Sequence, residues 1–237
     1  MKNKLTLIGI IAIVAIIGFS YIACDGNDNG NDNGDNYSLV FQGNLGFKPD
    51  DARIGYIVYG FDKDGKMYPH TNVFIPASVN GRPVTAIGEM AFFECATLTS
   101  VTIPDSVKII SNDAFYKCTN LTSVVIPDSV TSIGAHAFNG NTKLASLTIG
   151  SNVTFIGNQS FSGCTSLISV IIPANVKEIE VYAFAYDALI SVTFQGTIAG
   201  DKFDAQAFAG DLKTKYLTGG TGMYTRSSGG NTWTKQN

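Results

Sequence analysis

Residues 84–106 read VTAIGEMAFFECATLTSVTIPDS, and residues 107–129 read VKIISNDAFYKCTNLTSVVIPDS. Residues 130–152, VTSIGAHAFNGNTKLASLTIGSN, and 153–175, VTFIGNQSFSGCTSLISVIIPAN, keep the same 23-residue register with substitutions. A fifth copy begins at Val176, a degraded copy surrounds Phe208, and a copy of the strand alone occupies residues 73–76. A fixed period over consecutive blocks indicates a repeat protein, in which each repeat contacts only its neighbours.

Apolar residues recur at fixed positions of the repeat. A phenylalanine recurs as Phe92, Phe115, Phe138, Phe161 and Phe184. The segment from Ser100 to Ile103 alternates hydroxyl and apolar residues, which predicts a short strand with its apolar side chains inward. A second short strand is expected at Val-x-x-Ile, before a turn or single helical turn that carries Ala-Phe. One rung alone cannot bury these side chains, but rungs stacked about 4.8 Å apart bury them against each other. The sequence therefore predicts a solenoid with an internal phenylalanine ladder.

The repeat motif V-T-x-I-G-x-x-A-F-x-x-C-x-x-L-T-S-V-x-I-P resembles the BspA-like, treponemal-type class of leucine-rich repeats over about residues 73–198. The resemblance implies a mainly β leucine-rich repeat solenoid. Here it would comprise about six 23-residue rungs with short strands and helical turns, capped at both ends. The resemblance also implies an exported surface protein whose repeats bind other proteins, often in adhesion to host or neighbouring cells.

The N-terminus has the pattern of an export signal. Lys2 and Lys4 precede an uncharged stretch that runs from Leu5 to Ala23 and stops at Cys24, an order that is typical of a secretory signal peptide. Residues 21–24, YIAC, resemble the bacterial lipobox, in which the cysteine becomes the first mature residue and carries lipid. We expect residues 1–23 to be a lipoprotein signal peptide and lipid-modified Cys24 to anchor the chain at the outer membrane or cell surface. The alternative is that residues 5–23 remain as an uncleaved membrane anchor.

The remaining segments are assigned by composition and position. Residues 24–36 are expected to be a flexible linker, because DGNDNGNDNGDN has no apolar side chain to bury. Its first half matches a calcium-binding EF-hand loop, but Asn36 stands where a bidentate carboxylate is required, so no metal is expected. Residues 37–72 are predicted to cap the N-terminal end of the solenoid, which spans 73–198. Residues 199–237 would supply a degraded repeat and a capping tail with a closing hairpin.

Composition and motifs argue against several functions. The chain has 16 basic and 19 acidic residues, so it lacks the cationic excess that nucleic acid binding requires. With only two histidines and no nucleophile–base motif, we expect no catalytic residues, cofactor or small-molecule substrate.

Three of the four cysteines share one position of the rung: Cys95, Cys118 and Cys164. We expect buried thiols, because cysteine is among the most buried residue types. A Cys95–Cys118 disulfide is the alternative, since adjacent rungs fit the required spacing and an exported protein meets an oxidising compartment.

The outward strand positions are the expected contact surface for a partner protein. One column comprises Thr102, Val125, Thr148, Ile171 and Thr193. Ile168 and Ile190 replace the Thr99 and Thr122 of earlier rungs, and with Ile171 they would form an apolar patch. The alternative is that Ile168 and Ile190 turn inward at the rung corner.

The expected function is that of a non-enzymatic protein-interaction or adhesion module, tethered to the membrane at the bacterial cell surface. The alternative is a structural envelope spacer or coat component without a specific ligand. The two alternatives differ in their surfaces, because a binding face should vary from rung to rung and a spacer should repeat.

Overall fold

The computed structural model describes residues 21–22, 40–42, 45–49, 56–59 and 71–237. Cys24, the predicted linker 24–36 and most of the predicted signal peptide lie outside these residues. The described residues form short strands and one helix. Strands β1 to β7 are Tyr21–Ile22, Val40–Gln42, Leu45–Pro49, Tyr56–Tyr59, Asn72–Phe74, Ser78–Val79 and Arg82–Ile87.

Four of the following rungs contribute a longer and a shorter strand, as the alternating pattern predicts, and the fifth contributes the longer strand. The first strands of the rungs are β8 (Ser100–Thr102), β10 (Ser123–Val125), β12 (Ser146–Thr148), β14 (Ser169–Ile172) and β16 (Ser191–Phe194). The second strands are β9 (Ile109–Ile110), β11 (Ser132–Ile133), β13 (Phe155–Ile156) and β15 (Glu178–Ile179). The chain ends with α1 (Leu212–Gly219), β17 (Gly222–Thr225) and β18 (Thr234–Lys235).

Parallel pairing between successive rungs builds two sides of a solenoid. The second strands continue without interruption in the order β7-β9-β11-β13-β15. On the other side, β5-β8-β10-β12 form one four-stranded sheet, and β14-β16-β17-β18 form another. We call the outward surface of β5, β8, β10, β12, β14 and β16 the strand face. The predicted leucine-rich repeat solenoid is confirmed, and its strand face is divided between β12 and β14.

The recurring phenylalanines stack along the axis of the solenoid. Phe92 and Phe115 have ring centroids 5.0 Å apart, and Phe138 lies 5.0 Å from Phe115 and 5.3 Å from Phe161. The stack continues through Phe184 to Phe208 at 5.1 and 4.8 Å. The interplanar angles within the stack are all 12° or less, and the phenylalanines are buried. The degraded copy around Phe208 therefore continues the same ladder.

Each rung turns at positions with left-handed backbone. Met90, Asp113, His136, Gln159 and Tyr182 occupy one equivalent position, with φ between 52° and 57°. A second position, four residues later, is also left-handed, and there Gly140 and Gly163 stand beside Glu94, Lys117 and Tyr186. These two bends direct the chain around each ladder phenylalanine.

Different packing covers the two ends of the solenoid. At the N-terminal end, β3 and β4 are antiparallel, and β4 extends the second-strand side by pairing in parallel with β7. At the C-terminal end, β16 pairs with β17 and β17 with β18 in antiparallel fashion, so the expected closing hairpin is present. Trp233 is buried there, and its indole Nε1 donates a hydrogen bond to the Ala209 carbonyl at 2.8 Å.

Candidate binding face

The pairing register of the parallel strands aligns one residue of each rung into a single outward column. Thr102 is beside Val125, because Ser100 pairs with Ser123, and Val125 pairs with Thr148. Beyond the division of the strand face, Ile171 pairs with Thr193. In parallel strands, paired residues point to the same side of the sheet. The backbone thus presents Thr102, Val125, Thr148, Ile171 and Thr193 together on the strand face.

The structure extends this column at both ends with residues that the sequence analysis did not assign to it. Phe74 pairs with Thr102 and is 57% exposed, and Met223 pairs with Thr193 and is 46% exposed. Phe74 could have been assigned to the column from the sequence, because the strand-only copy at residues 73–76 keeps the register of the repeat. Met223 carried no such signal, because it joins the face through an antiparallel strand outside the repeat pattern.

Three exposed isoleucines lie on two adjacent rungs of the strand face. Ile168 and Ile171 are each 54% exposed, and Ile190 is 37% exposed. The Ile190 amide donates to the Ile168 carbonyl at 2.9 Å, which places these two residues side by side. The inward orientation that was the alternative for Ile168 and Ile190 is therefore wrong. We call Ile168, Ile171 and Ile190 the isoleucine patch.

A groove of about 560 Å³ lies across the C-terminal ends of β8, β10 and β12. Thr102, Val125 and Thr148 belong to its lining, and Asp105 and Asp128 are its two charged residues. The Asp128 carboxylate accepts a hydrogen bond from the Ser151 amide at 2.6 Å. This bond lowers the pKa of Asp128 below its usual value, so Asp128 carries its negative charge at neutral pH.

A serine hydroxyl and a histidine imidazole of the described residues make contacts between rungs. The Ser100 hydroxyl donates to the Asn72 side-chain oxygen at 2.6 Å, so it serves to join two rungs. His136 lies on a turn, with its Nδ1 3.7 Å from an Asp113 oxygen. Within the same residues, no three histidine, cysteine or acidic side chains group as a metal site would require.

A match to a family model shows which protein family the chain belongs to. The BspA type leucine-rich repeat region matches residues 85–215 in six copies, which is more than half of the chain. The chain belongs to this family. BspA-type proteins are typically cell-surface proteins, and their repeats are typically non-enzymatic modules that bind other proteins.

Solved structures of bacterial leucine-rich repeat proteins share the fold. A leucine-rich cell surface protein from Faecalibacterium prausnitzii is 24% identical with a TM-score of 0.60, and the match covers 83% of this chain and 60% of that one. The T. pallidum leucine-rich repeat protein is 22% identical with a TM-score of 0.52, covering 65% and 80% of the two chains. A leucine-rich repeat protein from Eubacterium ventriosum is 20% identical with a TM-score of 0.53, covering 68% and 40%. No curated protein matches the chain.

One buried position of the BspA-type rung carries chemistry that differs between rungs. Cys95, Cys118 and Cys164 occupy it as buried thiols, without a disulfide between them. The Cys118 thiol donates to the Phe92 carbonyl at 3.1 Å, and burial raises the pKa of Cys118 and of Cys164 above the usual value. Because thiolates are the reactive form of cysteine, the raised pKa keeps Cys118 and Cys164 as thiols at neutral pH.

The other two rungs place polar side chains at the same position. Asn141 is fully buried, and neither polar atom of its side chain has a hydrogen-bond partner among the described residues. Asp187 accepts the Cys164 amide at 2.7 Å through Oδ1, while its Oδ2 is buried without a partner in the same region. Burial raises the pKa of Asp187 well above its usual value. Buried polar atoms without a partner oppose folding, so this position lowers the stability of the two rungs.

Proposed function

We propose that this chain is an exported protein-interaction or adhesion module, tethered by lipid on Cys24 at the bacterial cell surface. The observation that carries the proposal is the isoleucine patch on the strand face. Single exposed apolar residues are normal on protein surfaces, but adjacent ones indicate a contact site. Ile168 and Ile171 are both more than half exposed on a stacked rung that holds them in place. The partner is a host or bacterial surface protein.

The family and a solved neighbour support the cellular location. BspA-type proteins are typically found at the cell surface, and the Faecalibacterium prausnitzii neighbour is described as a cell surface protein. In the residues that the structure describes, no helix has the length and apolar character needed to cross a bilayer.

The variation of the strand face favours binding over a spacer role. Its outward column changes from Thr102 to Val125, returns to Thr148 and changes again at Ile171. A spacer has no physical reason to vary its surface in this way, whereas a contact surface must match the shape of its partner.

A charge within the isoleucine patch is expected to abolish partner binding. In a pull-down with the full-length chain from surface-protein extracts, a retained partner is identified and its affinity for variants is then measured. Ile171→Asp should weaken that affinity at least about tenfold, because a buried apolar contact of about 1–2 kcal/mol is replaced by a charge that needs water. Ile109→Asp is the matched control, since Ile109 is 46% exposed on the opposite side, and it should bind normally. Unchanged affinity of Ile171→Asp would remove the isoleucine patch from the proposal.

The lipid anchor is tested by substitution of Cys24. In cells grown with radiolabelled fatty acid, the wild-type chain should be labelled and should fractionate with membranes. Cys24→Ala should lose the label, because no other thiol follows the export signal directly. Cleavage before Cys24 would also remove strand β1 and leave β2 at the sheet edge. Equal labelling of wild type and Cys24→Ala would contradict lipidation, and membrane association without label would indicate an uncleaved anchor.

A further inference from the structure

We infer that the groove across β8, β10 and β12 binds an extended partner segment in which lysine or arginine flanks apolar residues. The inference rests on the proposed function, because it names the chemistry that one part of the strand face recognises. The groove lies on the first three rungs of the face, and the isoleucine patch lies beyond the division on the next two.

The floor of the groove is apolar and accessible. Val125 occupies its centre and is 63% exposed, more than the other exposed large apolar residues of the strand face. Thr102 and Thr148 flank it on the adjacent rungs and present side chains that carry methyl groups as well as hydroxyls. The groove is open to solvent along its length and has a volume of about 560 Å³. An apolar side chain of a partner can therefore rest on Val125.

One end of the groove is acidic. Asp105 and Asp128 are exposed, they follow the strands of adjacent rungs, and the lining contains no basic residue. Asp128 accepts the Ser151 amide through Oδ1 and is exposed, so its negative charge faces solvent. Two carboxylates without a cation in the groove create a negative potential that attracts a positive side chain and repels a negative one.

The third rung carries a glycine at this end of the groove. Gly150 stands where the other rungs carry Pro104, Pro127 and Pro173. A Cβ at Gly150 would lie 2.3 Å from the Pro127 carbonyl oxygen, so the close backbone approach requires glycine. An extended segment places alternate side chains about 7 Å apart on one side, so a cation can lie beside an apolar residue along the groove.

The inference is tested with three labelled peptides of equal length and the full-length chain. The first carries two lysines that flank two valines, the second has glutamates in place of the lysines, and the third has serines in place of the valines. Fluorescence anisotropy should detect binding of the first peptide alone. The affinity should fall about 5- to 10-fold in the double variant Asp105→Asn/Asp128→Asn, as expected for two exposed ion pairs. The side-chain amide oxygen introduced by Asp128→Asn can still accept the hydrogen bond from the Ser151 amide, so the fold should be unaffected.

Salt dependence separates charge recognition from a general loss of structure. Raising the ionic strength from about 0.1 M to about 1 M shortens the Debye length from about 10 Å to about 3 Å. The wild-type affinity should fall several-fold under this change, and that of the double variant should change little. Asp201→Asn, an exposed acid outside the groove lining, is the matched control and should behave as wild type.

The outcomes distinguish this inference from the proposed function. Equal binding of the glutamate peptide, or unchanged affinity and salt dependence in the double variant, would overturn the groove inference. Ile171→Asp lies outside the groove lining, and its added negative charge should not lower the affinity for the lysine–valine peptide. If Ile171→Asp also keeps the partner protein while the double variant loses the peptide, the isoleucine patch fails and the groove inference stands.

Discussion

Replacing Phe138 with alanine should lower the free energy of unfolding by about 3–5 kcal/mol, as truncation of a buried aromatic side chain does. Phe138 is fully buried and stacks on Phe115 at 5.0 Å and on Phe161 at 5.3 Å. In a repeat protein, each rung is stabilised by its two interfaces with its neighbours. Loss of the central ring therefore weakens two interfaces at once. Urea unfolding followed by circular dichroism measures the change.

Two variants show whether the ladder itself is responsible. Phe155 is half-buried on β13, so Phe155→Ala removes an aromatic ring without opening the ladder, and it should cost clearly less. Phe138→Leu keeps most of the apolar volume and should cost less than about 2 kcal/mol. If Phe138→Ala were no more destabilising than Phe155→Ala, the stacked rings would not be the main source of stability.

The ladder and the strands could be predicted because the repeat samples the same position several times. A phenylalanine that recurs from Phe92 to Phe184 at a constant spacing has one physical explanation, burial against its own copies. The hydroxyl–apolar alternation of the strands fixes which side is inward once one position is known. The outward column from Thr102 to Thr193 could be predicted from this alternation alone.

Other features could not be predicted from the sequence, because they depend on contacts between segments that do not share the repeat. Met223 reaches the strand face by antiparallel pairing with Thr193, and nothing in the repeat specifies that partner. The strand phase at Ile168 and Ile190 was ambiguous, since these residues immediately precede their strands. The division between β12 and β14 is likewise a property of packing. It adjoins the third rung, where Asn141 and Gly150 replace the commoner residues of the repeat.

Asp187→Asn should make the protein more stable at neutral pH, and the gain should disappear in acid. Asp187 stands at the position that holds Cys95, Cys118 and Cys164 in other rungs. Its Oδ1 accepts the Cys164 amide at 2.7 Å, which asparagine can also do through its carbonyl oxygen. Burial raises the pKa of Asp187 well above its usual value, although the nearby Arg226 charge acts in the opposite direction. Ionisation of Asp187 therefore opposes folding.

The direction of the pH effect follows from proton binding. A raised pKa means that the folded state holds a proton that the unfolded state has released above its ordinary carboxyl pKa of about 3.9. The stability of the wild type should then be greatest below that value and decline as the pH rises through the folded-state pKa. Asp187→Asn has no such proton, so the two proteins should be similar near pH 4 and differ by about 2–3 kcal/mol near neutral pH, the cost of a buried charged group with an unpaired oxygen.

Asn141→Cys is the matched variant for Asp187→Asn, because it removes a buried polar group from the same rung position without removing a charge. Asn141 has two buried polar atoms that find no partner in the described part of the chain, so cysteine should stabilise the fold by about 1–2 kcal/mol. That gain should be the same at about pH 4 and near neutral pH, because asparagine does not titrate and the thiol stays protonated. Urea unfolding of the three proteins at both pH values measures the differences.

A pH-independent gain for Asp187→Asn would locate its effect in the unpaired oxygen alone. A loss of stability at neutral pH would mean that the carboxylate is held by Arg226, and that the ion pair outweighs burial.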